Sequence, residues 1–297
     1  MNLSKNKSLI LLHIIILIWG FTGILGKLIE LESDIIVWNR MLIAFIGLFI
    51  INILRKGVKK IKITEFLKYS LIGLLIAIHW VFFFESIKLS TVSLALICLS
   101  TISLFTAILE PIIQKKSILI HEILLSLLVI TGVIIVFNYE TPYQKAVLFS
   151  VLSAFFAALF TVLNHQLIQA KHNALTITTW EMFGGAMGIT IYLIINNKIN
   201  QSILPYGLDI LYILILSLIC TAFAFYASIE VMKKITPFTV NLSVNLEPIY
   251  AIILAIICFG EEEKMSNEFY WGAGIILSSI LINTIIKHKK NNFRSKI

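Results

Sequence analysis

The sequence predicts an all-α integral membrane protein with ten transmembrane helices arranged as two inverted five-helix repeats. Three observations predict it. Ten apolar stretches fill the chain, and about 20 residues at about 1.5 Å rise cross a hydrocarbon core of about 30 Å. Only 13% of the 297 residues are charged and 59% are hydrophobic, about half the charged share of a soluble domain. Matched residues also recur at a fixed offset: Glu85, Lys88 and Thr91 correspond to Glu230, Lys233 and Thr236, each pair 145 residues apart.

The first stretch, 9–28, follows Lys5 and Lys7, which places the N-terminus in the cytoplasm. It is too long for a signal-peptide core and has no small-x-small cleavage site, so it is read as retained. Gly20, Gly23 and Gly26 permit close helix approach, and Trp19 beside them is either a cavity wall or a packing wedge. The second, 34–53, carries Arg40, read as snorkelling outward or pairing with Asp34. In the third, 67–87, His79 and Phe83 lie one turn apart on one face. They either line a cavity or pack, with the histidine bonded to a backbone carbonyl.

The fourth, 91–110, holds Ser100, Thr101, Ser103 and Thr106, whose hydroxyls by default bond back to their own helix. The fifth, 120–138, opens on His121-Glu122, which lacks the second histidine of a metalloprotease motif. The sixth, 146–168, ends in Asn164 and His165, read as solvated. The seventh, 175–195, carries Glu181, read as structural, with Gly184 and Gly188 for close packing. The eighth, 209–229, contains Tyr226. The ninth, 237–258, is the most polar. Thr236 is a predicted N-cap and Pro237 a first helical residue. Asn241, Asn245 and Pro248 share one face, and Ser243, Glu247 and Tyr250 share the next. Pro248 cannot donate to the carbonyl of Val244. Glu247 is either a substrate-amine contact, a proton carrier or a hydrogen-bonded structural carboxylate. The tenth stretch is 269–286.

Charge placement argues against a nucleic-acid partner despite a net charge of +8. If alternate gaps face inward, they hold 18 of the 24 basic residues, while Glu30, Glu32, Asp34 and Glu261–Glu263 fall outside. The excess is a topology signal with some attraction to anionic lipid. Five spans per half is an odd number, so the second half enters the membrane upside down, as in inverted-repeat transporters. The first repeat is assigned to residues 1–140, and the second, with a basic cytoplasmic tail, to 141–297. Cys98, Cys220 and Cys258 form no metal or redox spacing and are read as small buried apolar residues. No P-loop or GxSxG is present, so no enzyme activity, cofactor or metal is expected.

On Trp19-Gly20, Arg40, Leu246-Glu247-Pro248 with Tyr250-Ala251, and Phe259-Gly260-Glu261-Glu262, the chain resembles the drug/metabolite transporter superfamily, in particular the EamA-type ten-span permeases. The resemblance covers nearly the whole length. It implies a secondary carrier of the cytoplasmic membrane, often an exporter of amino acids or other small metabolites. Its cavity would be walled by spans one, three, four, six, eight and nine. The branch it looks closest to includes aromatic-amino-acid exporters, which carries over to Trp19, His79 and Phe83. The first repeat departs from the family pattern. Ser103 stands where a proline is usual, and Lys115-Lys116 stand where a Gly-Glu pair is usual.

The expected function is export of a small organic metabolite by alternating access, with a substrate site at Trp19, His79, Phe83, Thr101, Tyr226, Asn245, Glu247 and Tyr250. Expected partners are a small-molecule substrate and membrane lipid, with protons as a candidate coupling ion. A lipid or lipid-linked-sugar flippase of the same fold, a membrane enzyme and a non-transporting sensor are the rival readings.

Overall fold

A computed structural model describes residues 5–56, 61–117, 119–200 and 203–294. The inner-loop charges Lys59, Lys60 and Lys296 lie outside the described residues. Among those described there is no strand. The helices are α1 (Lys5–Leu28), α2 (Ser33–Lys56), α3 (Ile63–Leu89), α4 (Val92–Leu99), α5 (Ile102–Gln114), α6 (Ile120–Tyr139), α7 (Gln144–Gln169), α8 (Ala174–Ile195), α9 (Leu208–Ser217), α10 (Ala224–Val231), α11 (Pro237–Val244), α12 (Glu247–Phe259) and α13 (Asn267–Arg294). α4 and α5 form one broken rod, as do α11 and α12. A π-helical stretch, Leu218–Phe223, joins α9 to α10. Among the described residues, eight of the resulting rods are long and apolar enough to cross a membrane. α8, with its glycines, threonines and Glu181, and α13, with its basic tail, are not among the eight. The count read from the sequence was ten.

The two breaks fall at Ser100-Thr101 and Asn245-Leu246, again 145 residues apart. Thr91 and Thr236, separated by the same interval, are both N-caps: Leu94 N donates to Thr91 Oγ1 at 3.1 Å and Thr239 N to Thr236 Oγ1 at 3.4 Å. The offset therefore relates corresponding structural positions, not chance identities in apolar sequence.

Each break has a local cause. In the second half, Pro248 sits in the first turn of α12 and has no N–H for the carbonyl of Val244. The Asn245 and Leu246 amides donate instead to the carbonyls of Leu242 and Ser243, at 3.2 and 3.0 Å. The expected common face of Asn241, Asn245 and Pro248 is interrupted there. The first half has no proline at this point. Hydroxyls act in its place: Thr101 Oγ1 donates to the carbonyl of Cys98 at 2.8 Å, Ser103 Oγ to that of Ser100 at 3.1 Å and Thr106 Oγ1 to that of Ile102 at 2.7 Å. These are the back-bonds expected of such residues.

Polar contacts tie the halves together along the broken rods. Asn241 Nδ2 donates to Thr106 Oγ1 at 2.7 Å, and Asn245 Nδ2 to Ser103 Oγ at 3.4 Å. Each broken rod also starts beneath a carboxylate from the other half. Glu110 accepts the Phe238 amide at the start of α11, at 3.0 Å. Glu263 accepts the Val92 and Ser93 amides at the start of α4, at 3.1 and 3.0 Å, and the Ser93 hydroxyl at 2.8 Å. A carboxylate meets both the orphan donors and the positive end of the helix dipole at such a terminus.

Packing depends on missing side chains, as expected where lipid removes the hydrophobic drive between helices. A Cβ on Gly73 of α3 would lie 2.0 Å from the carbonyl oxygen of Glu181 on α8. One on Gly274 of α13 would meet nothing within 4 Å. Gly73→Ala is expected to lower stability by about 1–3 kcal/mol through overpacking, despite a helix-propensity gain of about 1 kcal/mol. Gly274→Ala is expected to be neutral or stabilising. Thermal denaturation of both variants in one detergent checks the contrast. The outer surface is rich in exposed Ile, Leu and Phe, including Leu54, Ile195 and Ile257, a liability in water and the required face in lipid.

Candidate functional site

A cavity of about 80 Å³ opens inside the bundle, bordered by α1, α2, α3, α4, α5, α7, α10, α11 and α12. It holds several waters' worth of space. It is smaller than the ~300–1,000 Å³ usual for drug-sized ligands.

The π-helical stretch builds one wall. Widening the helix lets Thr221 Oγ1 donate to the carbonyl of Leu216, five residues back, at 2.7 Å, and leaves the carbonyl of Cys220 to accept Trp19 Nε1 at 3.1 Å. The same Thr221 hydroxyl accepts Arg40 Nε at 2.5 Å. The guanidinium lies over the Trp80 ring, 3.8 Å from its centroid. Arg40 is only 1% exposed, and its Nη1 has no hydrogen-bond partner. A buried π-bulge at a functional position is a recurrent arrangement. No proline or glycine marks this one in the sequence.

Across the cavity stands Glu247, at the start of α12 and buried. Among the described residues its carboxylate makes no hydrogen bond, and no ion pair joins it to Arg40. One small cavity thus holds an acid and a base that are not in direct contact among the described residues. Rings form most of the remaining wall: Trp19, Trp80, Phe83, Phe160 and Phe225. His79 donates Nδ1–H to the carbonyl of Ser153 at 2.9 Å, while Ser153 Oγ donates to the carbonyl of His79 at 2.9 Å. This assigns the tautomer and leaves Nε2 as the acceptor. Asn164 lines the same cavity.

Four of the eight sequence candidates line this cavity: Trp19, His79, Phe83 and Glu247. Thr101, Tyr226, Asn245 and Tyr250 do not. Thr101 is turned to its own backbone, and Asn245 is drawn toward α5 by Ser103. Tyr250 packs over Gly20 of α1, and Tyr226 packs on the apolar core. Three further readings change. Arg40 neither snorkels nor pairs with Asp34, because Asp34 is bound to Lys198 at 2.6 Å. Asn164 and His165 are buried rather than solvated. Cys258 is exposed while Cys98 and Cys220 are buried. Asn164, Trp80, Phe160 and Phe225 went unnoticed as cavity residues. The single usable signal was the cost of placing Arg40 inside an apolar span.

At the acidic end of the bundle, polar contacts join the two halves. Lys198 Nζ lies 2.7 Å from Glu32 and 2.6 Å from Asp34, and Lys27 Nζ lies 3.0 Å from Glu263 and 3.4 Å from Glu262. Tyr206 Oη donates to Glu30 at 2.9 Å. Hydrogen bonds from Asp34 and then Glu32 hold the Lys198 ammonium above the ordinary lysine range. A raised lysine value means that this contribution is complete below the ordinary lysine pKa and is lost as pH rises through the raised one. At this partly exposed cluster it is worth about 1 kcal/mol. On the opposite side Met232 borders both the cavity and a larger, basic recess.

The EamA-like transporter family matches residues 6–138 and 144–285, once in each half. The chain belongs to the EamA-like transporter family. It is accordingly a multi-pass membrane protein of a transporter family, not of an enzyme family, and has the EamA two-repeat architecture. Twenty-seven solved chains match this EamA-like protein. One is a crystal structure 15% identical in sequence, covering 95% of this chain and 99% of its own, with a TM-score of 0.71. That likeness shows the EamA-like fold. No curated protein matches the chain.

Proposed function

We propose that this EamA-like protein exports a small amino acid with an apolar side chain across the cytoplasmic membrane by alternating access. The observation that carries the reading is that Arg40 and Glu247 line one cavity. A zwitterion supplies a carboxylate for the guanidinium and an ammonium for Glu247, so each group gains a partner of opposite charge. The guanidinium is suited to this, because its planar donors match a carboxylate. The aromatic wall favours an apolar side chain and supports the aromatic-amino-acid branch suggested by Trp19, His79 and Phe83.

In the proposed topology ten spans form two inverted repeats, residues 1–140 and 141–297, with both termini in the cytoplasm. The acidic end then faces outward, and the basic recess faces the cytoplasm, in line with the positive-inside rule. The small cavity belongs to an outward-sealed state, and export would require the pairs at Lys198 and Lys27 to part. Coupling is either absent or to protons carried by Glu247. Profiling amino acids in the medium of cells with and without the gene tests the reading. Accumulation of an amino acid outside only when the protein is present supports export; accumulation of none rejects it.

A further inference from the structure

We infer that the basic recess is an anion-binding antechamber, which takes the carboxylate or phosphate group of a small solute before the solute passes Met232. Passage beyond Met232 rests on the transport reading; anion capture in the recess does not.

The recess measures about 600 Å³. Its walls come from the end of α5, the end of α7 and the turn between α10 and α11. Four lysines line it: Lys115, Lys116, Lys233 and Lys234. Two are compensated, Lys116 by Glu110 at 3.6 Å and Lys233 by Glu230 at 2.7 Å. Lys115 and Lys234 are exposed and make no ion pair among the described residues.

The positive-inside rule accounts for lysines on this side of the protein. It does not require them to line a concavity, and a low-dielectric recess of one sign focuses the field and concentrates counter-ions. Lys115 is also set in the left-handed backbone region, φ 53°, where the chain turns out of α5. Asparagine or glycine is the usual residue there. The second observation is the path. Met232 lines both the recess and the cavity that contains Arg40. A solute's anionic group would therefore meet Lys115 and Lys234 first and the open N–H of Arg40 next.

The test places a thiol at the junction, Met232→Cys, in the full chain reconstituted in vesicles. Its reaction rates with anionic sulfonatoethyl and cationic trimethylammonioethyl methanethiosulfonate are each divided by the rate with free 2-mercaptoethanol, after subtracting the parent protein's background. The antechamber predicts a preference for the anionic reagent of about 10-fold or more, falling to near unity on adding Lys115→Gln and Lys234→Gln. No preference, or a preference that the lysine substitutions leave unchanged, overturns it. The pair of proteins is compared in phosphatidylcholine and in phosphatidylglycerol vesicles. A lysine-dependent preference in both lipids supports capture of a solute. One that vanishes in phosphatidylglycerol assigns the recess to lipid headgroups and overturns the solute assignment. The readout requires no transport, so its failure is separable from failure of the transporter reading.

Discussion

Arg40→Met and Glu247→Gln are each expected to reduce flux of a zwitterionic amino acid through reconstituted vesicles by at least about 100-fold, a loss of about 2.7 kcal/mol at about 1.4 kcal/mol per decade. Each substitution removes one of two buried ionisable groups that line the same cavity, and the substrate's opposite charge would then enter it uncompensated. Arg40→Lys is expected to fail almost as badly. A lysine has no planar fork with which to bond Thr221 while covering the Trp80 face, as Arg40 does. Thr221→Val should cause a smaller loss, about 5-fold to 20-fold, because it only frees the guanidinium to move. Retained flux in Arg40→Met at normal expression would show that the arginine is structural. If Glu247 also carries the coupling proton, Glu247→Gln should remove any response to an imposed pH gradient. In an uncoupled carrier that response is absent from the parent protein too.

Glu263→Ala is expected to have the largest effect on stability, about 3–5 kcal/mol. This carboxylate is fully buried and accepts from Val92 N, Ser93 N, Ser93 Oγ and Lys27 Nζ. Removing it orphans three donors at the start of α4, while Lys27 keeps Glu262 at 3.4 Å, and each orphan donor costs about 1–3 kcal/mol before relaxation. Glu263→Gln keeps an acceptor and should lose about half as much. The neighbour Glu262 is 74% exposed, and Glu262→Ala should change little. Denaturation midpoints in detergent decide the matter: equal midpoints for the Glu262 and Glu263 alanine variants would remove the cap from the account.

The fold was legible where the physics is local. Long apolar runs predict membrane helices from length alone, and Thr236-Pro237 and Pro248 mark a helix start and a helix break by missing or capped donors. The 145-residue offset was visible as three identities. It later placed a second break at Ser100-Thr101, which no proline announces. The site was half legible. Trp19, His79, Phe83 and Glu247 stood out because large rings and ionisable groups are conspicuous in an apolar helix. Which polar residues face the cavity depends on rotation and pairing between helices, and these do not appear in one chain's periodicity. Asn245 was a candidate and is turned to Ser103, whereas Asn164 was assigned to water and lines the cavity. Arg40 was weighed as a surface-seeking cation because arginines near span ends usually are. The π-helical stretch that supplies Thr221 as its partner lies 181 residues away in the chain.

The most direct test is calorimetric titration of the purified protein at neutral pH with three solutes sharing one side chain: leucine, 3-methylbutylamine and 4-methylpentanoate. If Arg40 and Glu247 together grip a zwitterion, leucine should bind at least about 30-fold more tightly than either single-charge analogue, a difference of about 2 kcal/mol. Arg40→Met should erase its advantage over the amine, and Glu247→Gln its advantage over the acid. Amine or acid binding as tightly as leucine to the unaltered protein would contradict the account.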